Sequence, residues 1–239
     1  MNFGLIVDVE TTGLDPVVDK IIEIGLLEFC WDEAVAPRVT RSYGSLHDPE
    51  RPISADIIRI TGLSDAVLAK QAINWEVVRD FFRRTSVVIA HNADFDRSFL
   101  LNSGQLDGLD RPWACSLRHI DWRRLHCGNL GLNYLAADHG FVNPFAHQAL
   151  FDCATTFRLV APHLSELLQR SSEKEYLIKA VGSPFESKDL LKQRGYRWDA
   201  QERVWSRVLG ESALVEERQF LQEHVYKGRG SHHEHEKSF

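Results

Sequence analysis

No uninterrupted apolar run in this sequence reaches membrane-spanning length, and its start carries no basic-then-apolar pattern. A cytoplasmic location is the expectation. Four cysteines, Cys30, Cys115, Cys127 and Cys153, are scattered without a Cys-x-x-Cys step, which speaks against a disulfide framework or a thiolate zinc site and for reduced packing residues. Nor is there an excess of positive charge: a net charge of −6 argues against a protein that coats nucleic acid through bulk electrostatics. The acidic excess lies in residues 1–170, whereas residues 171–230 are close to balanced. Acids that bind metal ions have their charge cancelled locally, which creates the positive field a phosphate needs. What is present is ordinary for a soluble globular protein: 44% hydrophobic and 26% charged residues in a 239-residue chain, enough for one full domain and a small second one.

The stretch around which the chain is organised is Asp8-Val9-Glu10-Thr11-Thr12-Gly13-Leu14, preceded by Phe3, Leu5, Ile6 and Val7. A short β-branched run bounded by glycines predicts a buried strand over residues 5–9. Alternation along a strand places Asp8 and Glu10 on one face and Val9 on the other. Two close, buried carboxylates must neutralise, find cations or hold a metal, and hard oxygen ligands suit Mg²⁺ and Mn²⁺. Residues 21–31 and 38–46 read as two further strands joined closely enough to pair antiparallel. Ser64 is expected to cap a short helix to Lys70. Asn74 is expected to cap a helix whose Val77, Val78, Phe81 and Phe82 face a core. Residues 87–90 are again a buried strand. Three strands followed by alternating helix and strand predict an α/β architecture with a mixed sheet.

A second informative stretch, His91-Asn92-Ala93-Asp94-Phe95-Asp96, lies where that strand passes into a helix, the kind of junction at which α/β sheets gather ligands. Asp94 and Asp96 compete as the functional acid. We read Asp94 as the helix cap and Asp96 as aimed at the first strand, with Phe95 and Phe99 in the core. A third, His147-Gln148-Ala149-Leu150-Phe151-Asp152, follows Pro144. On one helix His147 and Asp152 would lie about 140° apart, so the proline predicts a helix starting near Gln148. His147 then sits on a more mobile loop and Asp152 is fixed within the helix.

In this order and spacing the three motifs resemble the DEDDh family of 3′-to-5′ exonucleases, across about residues 3–168. The resemblance implies a ribonuclease H-like fold and two Mg²⁺ ions, replaceable by Mn²⁺, held by Asp8, Glu10, Asp96 and Asp152. It implies His147 as general base on the attacking water, with nucleoside 5′-monophosphates as products. Thr11, Thr12, Leu14, His91 and Asn92 are implied as substrate contacts, Leu14 as a wedge against the last base; its alternative is core packing. The partners implied are the 3′ end of DNA, or alternatively RNA, a polymerase or repair complex, or a second copy of the chain as in ribonuclease T-like relatives. Ser54 and Thr61 depart from the family's connecting segment, where proline and histidine are usual.

Beyond Pro162, residues 169–175 read as a polar linker. Residues 176–226 form an expected small α+β module: a strand at 176–181, a helix at 186–194, a hairpin with Trp198 and Trp205 on either side of its turn, and a closing helix at 212–226. A unit this small needs its tryptophans as core. Lys188, Lys192, Arg194, Arg197, Arg203 and Arg207 are candidates for weak nucleic-acid contact. Residues 227–239, with His232, His233 and His235, are expected to be an unstructured tail.

Overall fold

A computed structural model of the chain describes residues 1–236. Two compact units divide at Leu168/Gln169. The first opens with strand β1 (Asn2–Thr11), β2 (Ile21–Trp31) and β3 (Arg38–Leu46), followed by helices α1 (Ala55–Thr61), α2 (Asp65–Leu68) and α3 (Trp75–Arg84). Strand β4 (Val87–Ala90), α4 (Ala93–Asn102), β5 (Trp113–Cys115), α5 (Ser116–His119), α6 (Leu132–Asp138) and α7 (Ala149–Val160) complete it, and α8 (Leu164–Ser171) contains the division. The five strands form one mixed sheet in the order β3-β2-β1-β4-β5, antiparallel across β1–β2–β3 and parallel across β1–β4–β5.

Alternation along β1 divides the core. Leu5, Val7 and Val9 pack with Phe81, Phe82 and Phe99 on one face, and Ile6 packs with Phe29, Trp122 and Leu159 on the other. Asp8 and Glu10 continue the Ile6 face past the point where apolar packing ends. The sequence signals for the helices act as expected at α3, where the Asn74 side chain accepts from the Glu76 and Val77 N–H groups. At α1, Ser54 caps through the Ile57 N–H. Ser64 makes no such bond at α2. All four cysteines are buried and free.

The polar linker is shorter than expected, because α8 runs on to Ser171. The second unit comprises β6 (Glu175–Ala180), α9 (Lys188–Arg194), β7 (Arg197–Asp199), β8 (Val204–Gly210), α10 (Leu214–Phe220) and β9 (His233–Glu236), with the sheet ordered β7-β8-β6-β9. Gly195, at φ 99°, ends α9 in the left-handed conformation that glycine adopts without strain. Trp198 and Trp205 face each other across the hairpin. Trp205 packs on the core, but Trp198 is half exposed against it, so only one of the two tryptophans fills the core role expected of both.

Two expectations for this unit need correction. Arg194 and Arg207 are committed to the buried Glu217 carboxylate at 3.1 and 2.9 Å, so they are not free for nucleic acid. Residues 233–236 are not an unstructured tail but pair antiparallel with β6. Their acids explain it: Glu234 forms a two-bond pair with Arg218 at 2.7 and 2.6 Å, and Glu236 meets Lys174 at 3.2 Å. Residues 237–239, the end of that expected tail, lie outside the described residues. Among the described residues no helix is long and apolar enough to cross a membrane.

Candidate active site

Pairing between β1 and β4 stops at Ile6–Ile89, so beyond Ile6 this edge of β1 is open and its backbone donors need other partners. The Val9 N–H donates to Asp96 Oδ1 at 3.0 Å. A carboxylate from the first turn of α4 is thereby fixed between the two acids of β1. The turn delivering it is made by Asn92 at φ 69°, in the left-handed region. Asn92, not Asp94, holds the cap position; Asp94 lies inside the helix and takes a two-bond pair with Arg118 at 3.1 Å. A β-bulge follows between Glu10 and Thr11, the kind of irregularity that re-aims side chains beside functional sites.

Asp152 arrives from the opposite side, and a glycine makes this possible. A Cβ on Gly25, directly across from Asp8, would lie 2.4 to 2.6 Å from the Ala149 and Leu150 backbone. Only glycine lets the start of α7 lie on β2. A Cβ on Gly44, the partner of Gly25 on β3, would meet the Leu150 side chain at 3.4 to 4.0 Å, an ordinary contact, so glycine is not required there. With α7 seated, Asp152 is buried, accepting from Asn143 Nδ2 at 2.5 Å and from the His147 N–H at 2.9 Å. His147 lies outside the helix at φ 61°, a conformation costly for a non-glycine residue. Its backbone is thus tied to Asp152 rather than loose, while its side chain is 54% exposed with Nδ1 3.8 Å from Glu10 Oε1.

Crowded acids out of water resist ionisation. Burial, then Asp96, Asp152 and Glu10, pushes Asp8 well above the usual carboxylate range, and burial does the same to Asp96. Glu10 is pushed up to about 8 by burial and by the charges of Asp152 and Glu23. Asp152 rises to about 6 through burial, opposed by the His147 N–H. Glu10, His147 and Asp152 offer one ligand atom each within 4.8 Å of one another. Desolvated oxygen donors short of positive charge fit a hard divalent cation.

The other expected residues divide. Thr11 is buried, its hydroxyl donating to the Gly13 carbonyl at 2.5 Å. Thr12 Oγ1 bonds Asp19 and Arg51, which brace the loop after β1. Leu14 stands 84% exposed on that loop, so it is not core. His91 has both ring nitrogens engaged, with Ser116 Oγ at 2.8 Å and the Leu130 carbonyl at 2.9 Å. Burial depresses its pKa to about 4, so it is a neutral structural histidine with no free nitrogen for substrate. Sequence reasoning missed Glu23, Gly25 and Asn143. Glu23 carried a usable signal, an acid inside the otherwise apolar run Ile21 to Leu27.

Comparison with known proteins agrees with this geometry. The sequence profile of the exonuclease family, RNase T type, matches residues 5–160. A PolC-type DNA polymerase III of Thermotoga maritima is 35% identical over 130 residues, 54% of this chain but 8% of that protein. The PolC-type polymerase of Halalkalibacterium halodurans is 29% identical over 171 residues, covering 70% of this chain and 12% of the relative. The chain thus spans about a tenth of the length of these curated relatives. Among solved structures, exonuclease X in complex with 5′ overhanging duplex DNA is similar with a TM-score of 0.50 and 25% identity, over 68% of this chain and 91% of that one. E. coli exonuclease I with a dT13 oligonucleotide, at TM-score 0.59, 15% identity and coverage of 76% and 49%, shares the fold. The chain belongs to the exonuclease family, as a DEDDh-type 3′-to-5′ exonuclease.

Proposed function

We propose that this exonuclease shortens DNA from its 3′ end, releasing nucleoside 5′-monophosphates, with Asp8, Glu10, Asp96 and Asp152 holding Mg²⁺ and His147 as general base. One observation carries the reading: three distant chain segments bring these four acids together beside an exposed imidazole. Divalent ions bound there would supply positive charge at the scissile phosphate and acidify a water. His147 removes the water's proton: its ring is solvent-accessible beside Glu10 and needs no rearrangement of α7. Asp152, held by Asn143 and the His147 N–H, fixes the backbone from which that ring projects. Leu14, exposed on a braced loop, is the side chain available to press against the terminal base.

The likeness to PolC-type polymerases and to exonuclease X supports DNA as substrate and a role beside a polymerase or in repair, with the unit from Gln169 onward as an accessory module. The test is digestion of matched 5′-labelled single-stranded DNA and RNA oligonucleotides with Mg²⁺, comparing wild type with Asp8→Ala and His147→Ala. A ladder shortening from the 3′ end of DNA, lost in both variants, is expected. Preferential loss of RNA would replace the substrate, and no metal-dependent digestion of either would overturn the reading.

A further inference from the structure

We infer that Glu23 is a positioning residue that seats the start of α7, and with it Asp152 and His147. Glu23 is the direct cross-strand partner of Glu10, so two acids share one face, an arrangement that is destabilising when both are ionised unless something compensates. The compensation comes from α7. The Gln148 side chain makes no cap bond there, so the first N–H groups of a 12-residue helix need another acceptor. Burial raises the Glu23 pKa, and the backbone N–H of Ala149, brought up to the carboxylate by the close approach at Gly25, opposes that rise. The end of the helix dipole favours the same charge. Gly25, two residues along the same face, lets the Ala149 backbone come close enough for this. Among the described residues, Glu23 Oε2 is buried without a hydrogen-bond partner, which a surface glutamate serving only solubility would not tolerate.

The consequence is a two-point seat, contact at Gly25 and a side-chain oxygen acceptor at Glu23, for the residue three positions before Asp152 and two after His147. Glu23 also presses on Glu10 from across the strand pair and contributes to its raised pKa. Losing the seat lets α7 lift and displaces a carboxylate and the imidazole together, without touching the loop of Thr12 and Leu14 that meets substrate.

The inference rests on the exonuclease reading above. Its test uses the full chain with Glu23→Ala, Glu23→Asp and Glu23→Gln, reading steady-state digestion of a labelled DNA oligonucleotide and Mn²⁺ affinity by titration calorimetry. Glu23→Ala is expected to lower kcat about 10- to 100-fold and weaken Mn²⁺ binding about 10-fold, with KM within about twofold. Glu23→Gln keeps a carbonyl acceptor for Ala149 and should recover most of both. Glu23→Asp, one methylene shorter, should fall between, and it carries the test if Glu23→Ala does not fold. A variant that melts earlier with unchanged Mn²⁺ affinity and kcat overturns the inference, as does a Glu23→Gln no better than Glu23→Ala. A wild type that leaves DNA and RNA intact overturns the exonuclease reading instead, whereas an active wild type with a silent Glu23→Ala overturns this inference alone.

Discussion

Stripped of divalent metal, the protein should lose stability as pH rises from 5 to 7. Glu10 moves from an ordinary 4.5 to about 8 in the folded chain, so between these pH values it is ionised when unfolded and protonated when folded. A raised acid pKa gives stability that is complete below the unfolded value and is lost as pH climbs through the folded one. One proton over two pH units amounts to about 2.7 kcal/mol. For a unit the size of residues 1–168 this is a fall in Tm of about 5 to 10 °C. Asp8, Asp96 and Asp152 shift in the same direction, each chiefly through burial, so the figure is the share of Glu10 alone and the whole loss is larger. The assay is thermal unfolding in EDTA at pH 5 and 7, for wild type and Glu10→Gln, with and without Mg²⁺. The wild-type loss should exceed that of Glu10→Gln, which has no carboxyl to titrate, and saturating Mg²⁺ should remove the difference by binding the ionised folded state. Equal slopes for the two proteins in EDTA would refute the assignment of this burial cost to Glu10.

Other perturbations separate chemistry from folding. His147→Ala should cut kcat by about 10² to 10⁴ while leaving Tm unchanged, since its ring is largely in solvent; a thermal loss would show a structural role instead. Gly25→Ala places a methyl group against the Ala149 backbone and should destabilise by about 1 to 3 kcal/mol with loss of turnover, measured by denaturant titration beside the exonuclease assay. Glu234, held near a pKa of about 2 by Arg218 and His232, contributes stability that is present above pH 4.5 and lost as pH falls toward 2. Glu234→Ala should therefore raise amide exchange along β9 and its β6 partners at neutral pH without altering exonuclease rates; unchanged exchange would remove the carboxylate as the anchor of that strand.

How far the sequence alone carries depends on the range of the interaction. Period-two alternation in β1 and the β-branched run of β4 are local, and they placed the strands and the shared face of Asp8 and Glu10. Pro144 placed the start of α7 and left His147 outside it. Competition between Asp94 and Asp96 was readable in its outcome for Asp96, which does meet β1, but not in the cap. Asn92 takes the cap by entering the left-handed region, which no spacing rule announces. Long-range matching was invisible. Nothing local marks Arg194 and Arg207 for Glu217, or residues 233–236 for β6, because those choices are made by burial and charge pairing between distant segments. The role of Gly25 emerges only once a helix is laid across it.

The charge of this chain and its chemistry are one physical problem. A protein of net charge −6 that acts on a polyanion must present a positive field at the point of reaction. The fold supplies some of it: Asp96 and Asp152 each lie in the first turn of a helix, α4 and α7, where the macrodipole offers about half an elementary charge apiece. Roughly one unit of positive charge cannot balance four carboxylates gathered out of water, and the raised pKa values of Asp8, Glu10, Asp96 and Asp152 measure the shortfall. Protonation removes the repulsion but leaves nothing to attract a phosphate. Doubly charged ions held by the ionised acids would remove the repulsion and supply the attraction together, so metal-linked stability and substrate approach should vary in step across any series of variants at these four positions.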